Sequence, residues 1–128
     1  MSGYTIKNLL DVEDSAVKFG FAPAMEARFA REDLGFEKHG LSLQRLAPNE
    51  RQAFAHRHGE AEEVYVVVEG SGRVLLDGDV VEVRRWDAIR VAPGTVRSFA
   101  AGPEGIGYLA FGGHGLGDTE QLPPEWPE

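Results

Sequence analysis

The stretch HRHGEAEEVYVVVEG, positions 56–70, decides the reading of this chain. Its second half is β-branched and aromatic, the composition of a strand that fits a half-buried pleated surface. Its first half sets two histidines two residues apart, followed by paired glutamates, at the mouth of that strand. In extended chain, side chains at i and i+2 point the same way. His56 and His58 therefore project into one space, with Arg57 on the other side. Neutral imidazole is a common ligand for divalent transition metals, and a carboxylate balances their charge. Two histidines and one carboxylate on one face of an ion leave positions open for water, oxygen or substrate. Glu63 shares a face with Tyr65 and Val67, and Glu62 with Val64, Val66 and Val68. Parity alone does not choose between them, because Gly59–Glu62 need not be extended. The plain alternative is two histidines in a solvated loop and two glutamates at a strand edge.

Outward from this stretch the chain is punctuated as an all-β domain. The 16 glycines fall between short apolar runs. RVLL (73–76) and VVEV (80–83) flank Asp77-Gly78-Asp79, and Asp-Gly between two such runs signals a hairpin turn with positive φ. AIRV (88–91), VRSFA (96–100) and IGYLAF (106–111) are further strands, separated by turns at APGT and AGPEG. Upstream, GLSLQRL (40–46) and MEARFA (25–30) read as strands, and AREDLG (30–35) as one helical turn. The tail from position 112 is rich in Gly and Pro, shows no period, and is expected to wrap the surface or be partly mobile. Trp86 falls in a turn, as a surface plug. Trp126 lies between prolines and anchors the tail.

Length fits one domain over 1–128, with a barrel core at about 40–111, N-terminal strands in 1–39 and a tail at 112–128. The apolar fraction of 42% supports a packed interior. A net charge of −8 and scattered basic residues argue against nucleic acid and anionic membranes as partners. With no cysteine, disulfide scaffolds, thiolate metal sites and cysteine nucleophiles are excluded. No stretch is apolar enough for a signal peptide or a bilayer span, so a cytoplasmic protein is expected.

These features together resemble the cupin superfamily. Its first motif runs H-x-H, three or four residues, Glu, six residues, Gly. Here His56-Arg57-His58 is followed by GEAE, Glu63, VYVVVE and Gly70. The resemblance selects Glu63 as the third ligand. The motif's leading glycine position holds Glu50. The second motif, P-x-G, two residues, His, three residues, Asn, aligns Gly94 on its turn glycine. Its histidine position is Arg97, its asparagine position Ala101, and Trp86 stands where its opening glycine precedes Asp87. The resemblance implies a double-stranded β-helix (cupin, or jelly-roll) barrel, with the site inside. It also implies pairing as a homodimer. The run YTIKNLL (4–10), a strand without an obvious partner in a minimal barrel, is expected to pack against a second subunit.

Arginine cannot replace a histidine ligand, because guanidinium stays protonated and offers no lone pair. At roughly 5 Å and an effective dielectric near 20, its repulsion of a dication is on the order of 6 kcal/mol before relaxation. Three arrangements follow. His56, His58 and Glu63 hold a metal and Arg97 binds an anionic group beside it. Alternatively, Arg97 forms a buried ion pair with Glu63 and no metal binds. In the third, His39 or His114 supplies the missing ligand. Tyr65 and Phe99 share faces with Glu63 and Arg97 and are expected to line the substrate or anion pocket, with Phe54 beside the histidines. The resemblance spans dioxygenases, isomerases, decarboxylases and non-catalytic sensors. The leading expectation is a stand-alone divalent-metal cupin (Fe, Mn, Ni or Zn) of dioxygenase-like or isomerase-like type, acting on a small, carboxylated molecule. The rival is a metal-free, non-catalytic module that binds a small anion through Arg97.

Overall fold

The computed structural model describes residues 3–113 and 118–127. Among these residues, eight antiparallel strands form one curled sheet: β1 (Met25–Phe29), β2 (His39–Leu46), β3 (Ala55–His58), β4 (Glu63–Leu76), β5 (Asp79–Arg84), β6 (Ala88–Val91), β7 (Arg97–Gly113) and β8 (Thr119–Leu122). Two single-turn helices, α1 (Ser15–Lys18) and α2 (Arg31–Leu34), lie in the N-terminal part. The all-β double-stranded β-helix expected from the sequence is the fold observed.

Two long strands build the barrel. The expectation of four separate strands in these regions is corrected. The runs at 62–68 and 73–76 are one strand, β4, and those at 96–100 and 106–111 are one strand, β7. The glycine-rich segments read as turns are bends within them. β4 and β7 pair from Glu63↔Gly112 to Leu76↔Arg97, with register shifts between Val67 and Glu69 and between Gly70 and Gly72. A bulge turns the strand without ending it, so the ribbon runs through both halves of the barrel. Gly70 shows why its place in the motif requires glycine. Its φ is 63°, and a Cβ there would overlap the carbonyl oxygen of Gly105. Gly70→Ala is expected to cost roughly 2 kcal/mol or more from backbone strain and clash. A urea midpoint equal to the parent's would contradict this.

The Asp77-Gly78 hairpin forms as expected, with φ of 49° and 89° and Leu76 opposite Asp79. The N-terminal and C-terminal expectations need correction. Residues 4–10 are not a strand. The only regular element there is a 3₁₀ turn at Leu9–Asp11, and Tyr4, Ile6 and Leu10 are exposed. The tail is not merely wrapping, since it supplies β8, which pairs along the whole of β3. Trp126 does anchor the end of the tail, with the guanidinium groups of Arg51 and Arg73 5.1 and 5.5 Å from its ring centre. Trp86 occupies the β5–β6 turn and is exposed.

Strand alternation gives the barrel one consistent inner face. Met25, Ala27, Leu46, Tyr65, Val67, Phe99, Ile106, Tyr108 and Ala110 are buried and pack as one core. The closest ring contact is Phe99 on Tyr108, stacked at 4.0 Å, with Tyr65 edge-on to both. Beside this core an open cavity of about 1140 Å³ runs out to the N-terminal helices.

Candidate metal centre

His56 and His58 leave β3 on the cavity side, with ring centres 5.2 Å apart, while Arg57 points outward to an ion pair with Glu120. Glu63 is the first residue of β4 and turns inward with Tyr65 and Val67. Glu62 turns outward to Arg90 and is mostly exposed. Glu63, and not Glu62, is therefore the glutamate that faces the two histidines. Candidate ligand atoms of His56, His58 and Glu63 all lie within 4.8 Å of one another, the one such group among the described residues. The Nε2 atoms of His56 and His58 are 3.9 and 3.6 Å from Glu63 Oε1. His39 stands apart, packed against Phe36 and Phe111, and His114 lies outside the described residues.

Arg97 enters because of register. It heads β7 directly opposite His56, and paired residues of antiparallel strands share a face. Its side chain is 0% exposed. Nη2 donates to Glu63 Oε1 at 2.8 Å, Nε to the Tyr65 hydroxyl at 3.1 Å, and Nη1 to the Thr95 carbonyl at 2.9 Å. Tyr65 in turn donates to Glu63 Oε1 at 2.5 Å and reaches His56 Nε2 at 3.4 Å. His56, His58, Glu63, Tyr65 and Phe54 line the cavity, whereas Arg97 and Phe99 stand behind that lining.

Two residues the sequence reading did not single out complete the centre. Asp118, just before β8, and Thr119, its first residue, reach His58 Nδ1 at 3.2 and 2.9 Å. Asp118 is itself held by the backbone N–H groups of Glu60 and Ala61. A carboxylate only accepts, so Asp118 holds a proton on His58 Nδ1, and Nε2, which faces Glu63, is the nitrogen that can bind an ion once it gives up its own proton.

The electrostatics follow from this packing. Burial pushes the Glu63 carboxyl up, but hydrogen bonds from His56, His58, Tyr65 and Arg97 more than reverse it, holding Glu63 far below the usual carboxylate range. The Glu63 hydrogen bond raises His58, against burial and the charge of Arg97. Burial and the Glu63 charge push Tyr65 well above an ordinary phenol, so it stays a donor. The Glu60 and Ala61 N–H groups and His58 together lower Asp118.

The Cupin domain family model matches residues 42–106, just over half of the chain. The chain belongs to the cupin family. Cupins commonly bind metals, and the His56–His58–Glu63 group is of the kind that could hold one. The cupin fold is shared with the polyketide cyclase RemF from Streptomyces resistomycificus, at TM-score 0.75 and 23% identity over 97% of this chain and 87% of that one. It is shared with a cupin protein from Bacteroides fragilis, at TM-score 0.73 and 21% identity over 91% and 89%. Oxalate decarboxylase from Bacillus subtilis matches 92% of this chain and 33% of its own, at TM-score 0.72 and 23% identity. In sequence, the cupin is 34% identical over 50 residues to uncharacterized protein MJ1618 of Methanocaldococcus jannaschii. That alignment spans 39% of this chain and 40% of that protein.

Proposed function

We propose that this cupin is a divalent-metal enzyme acting on a small molecule inside the barrel, with His56, His58 and Glu63 as its protein ligands. The observation that carries the reading is the Asp118–Thr119 clamp on His58 Nδ1, which presents Nε2 to the shared space. A two-nitrogen, one-carboxylate set suits Fe, Mn, Ni or Zn. A bound ion of this kind polarises a substrate oxygen, as in isomerase-like chemistry, or, if iron, supports dioxygenase-like chemistry. Arg97 stands behind Glu63 and orients it. Tyr65, held protonated, offers a hydrogen bond at the cavity wall, and Phe99 backs its ring. The barrel encloses the reacting end of the substrate and limits its contact with water.

One observation favours a second reading. The Arg97–Glu63 pair is complete without an ion, so the chain could serve as a metal-free anion-binding module. An anion could reach Arg97 only by taking a donor from Glu63, Tyr65 or Thr95. Titration of Arg97→His by calorimetry separates the two readings. In the metal reading a repelling charge becomes a neutral donor, and manganese binds at least tenfold tighter than to the parent. In the anion reading the same change costs about 1.5 kcal/mol, roughly tenfold, in succinate affinity, and neither protein binds manganese.

None of the helices described is long and apolar enough to cross a membrane. The exposed Tyr4, Ile6, Leu10, Val17 and Phe19 support a homodimer through the N-terminal face. Light scattering at micromolar concentration is expected to give twice the chain mass, and a monomer mass would contradict the dimer.

A further inference from the structure

The cavity wall carries a second polar group, separate from the candidate metal centre, with Ser42 and Gln44 on β2 and Gln52 in the connection from β2 to β3. Ser42, Gln44 and Gln52 all line the cavity, and Ser42 and Gln52 are each 5% exposed. Their hydrogen-bond polarity is fixed by one backbone group. The Phe99 N–H donates to Gln52 Oε1 at 2.8 Å, so Gln52 Nε2 is a donor. Gln52 Nε2 faces Gln44 Oε1 at 3.5 Å, and the buried Tyr108 hydroxyl donates to the same oxygen at 3.2 Å. Gln44 Nε2 must then donate, and it does so to Ser42 Oγ at 3.0 Å. Ser42 ends the relay as an acceptor, which leaves its own O–H proton free. Each amide nitrogen also keeps a second proton. The row therefore keeps three free protons, on Ser42 Oγ, Gln44 Nε2 and Gln52 Nε2, against one further lone pair each on Ser42 Oγ and Gln52 Oε1, so donors predominate.

The register places this row relative to the metal centre. Ser42 pairs with Ala110, and Ala110 with Tyr65. Gly40 pairs with Gly112, and Gly112 with Glu63. Ser42 thus lies two strand spacings from Tyr65, about 10 Å between backbones. The strand between them presents only Ala110 and Gly112, a low floor across which a flat molecule can lie. The charged groups that also line the cavity include Glu13, Glu32 and Asp33 against Arg31. With a net charge of −8 over the chain, that balance disfavours an anion.

We infer that Ser42, Gln44 and Gln52 form a substrate-recognition row that takes carbonyl or ether oxygens of a neutral, flat, largely apolar molecule whose other end reaches His56, His58 and Glu63. This deepens the enzyme reading above and rests on it for the identity of the reacting end. It replaces a carboxylated substrate with a neutral, oxygen-bearing one.

The test compares coumarin, a neutral bicycle with acceptor oxygens and no donor, with indole, a bicycle of similar size with a donor and no comparable acceptor. Binding is followed by calorimetry on the metal-loaded protein and on His56→Ala. Coumarin is expected to bind more tightly than indole to both. Ser42→Ala is expected to reduce the coumarin-to-indole ratio about threefold or more, the scale of one neutral hydrogen bond. The pair Ser42→Ala with Gln44→Leu is expected to bring the ratio near one. Absence of saturable coumarin binding at millimolar concentration, a parent ratio at or below one, or a ratio unchanged in Ser42→Ala would overturn the inference. Failure of the metal reading would show separately, as absent manganese binding with the coumarin preference intact.

Discussion

Arg97→Met is expected to destabilise the metal-free protein by about 3–5 kcal/mol, the scale for breaking a buried pair and leaving one charge uncompensated. The Arg97 side chain is fully buried, and it gives its donors to Glu63, Tyr65 and Thr95. Methionine fills much of the volume but leaves the carboxylate without its cation. The pH dependence has a definite sign. The folded Glu63 carboxyl lies far below its unfolded value of about 4.3. The stabilisation is therefore complete above that value and fades only as pH falls into strong acid. A metal at the same carboxylate should restore what arginine supplied. Manganese at about 100 times its dissociation constant should return about 2.7 kcal/mol, and its affinity should exceed the parent's because a repelling charge is gone. Urea unfolding with and without manganese measures both effects. A deficit that manganese leaves untouched would remove Glu63 from the ligand set.

The second large effect concerns the histidines. His56→Ala with His58→Ala removes both nitrogen donors, and metal affinity is expected to fall by at least about a thousandfold, since even outer partners of a ligand are each worth 10–100-fold. Glu63→Gln should weaken binding as well, because a neutral amide is a poorer ligand. Glu62→Gln is the control. Its side chain is 63% exposed and pairs with Arg90 at the surface, so affinity and stability should match the parent. Isothermal titration with zinc across the four proteins gives the order. A weaker Glu62→Gln beside an unchanged Glu63→Gln would move the ligand by one residue.

The barrel and the candidate ligand group were legible because each rests on local pattern. His56 and His58 share a face by strand alternation, and the motif spacing picks Glu63 where alternation could not. Gly70 was legible as a motif glycine, though the reason, close approach to Gly105, appears only when β4 meets β7. What the sequence concealed depends on long-range pairing. Nothing local marks residues 101–105 as the bend of a continuous strand rather than a turn. Asp118 and Thr119 sit in a Gly- and Pro-rich stretch, and only the pairing of β8 with β3 brings them to His58. Arg97 was found as a departure from the motif, but its enclosure behind Glu63 follows from its register with His56. Ser42 and Gln44 did carry a signal, two polar residues on alternate positions of β2. That signal gains meaning only once the same face proves to line the cavity.

The most direct test of the account is the metal content of the protein purified without a histidine tag, measured by plasma mass spectrometry beside the His56→Ala, His58→Ala variant. The account predicts close to one equivalent of a divalent transition metal per chain in the parent and background in the variant. A parent that carries no metal and takes up none on incubation with iron, manganese, nickel or zinc would contradict it.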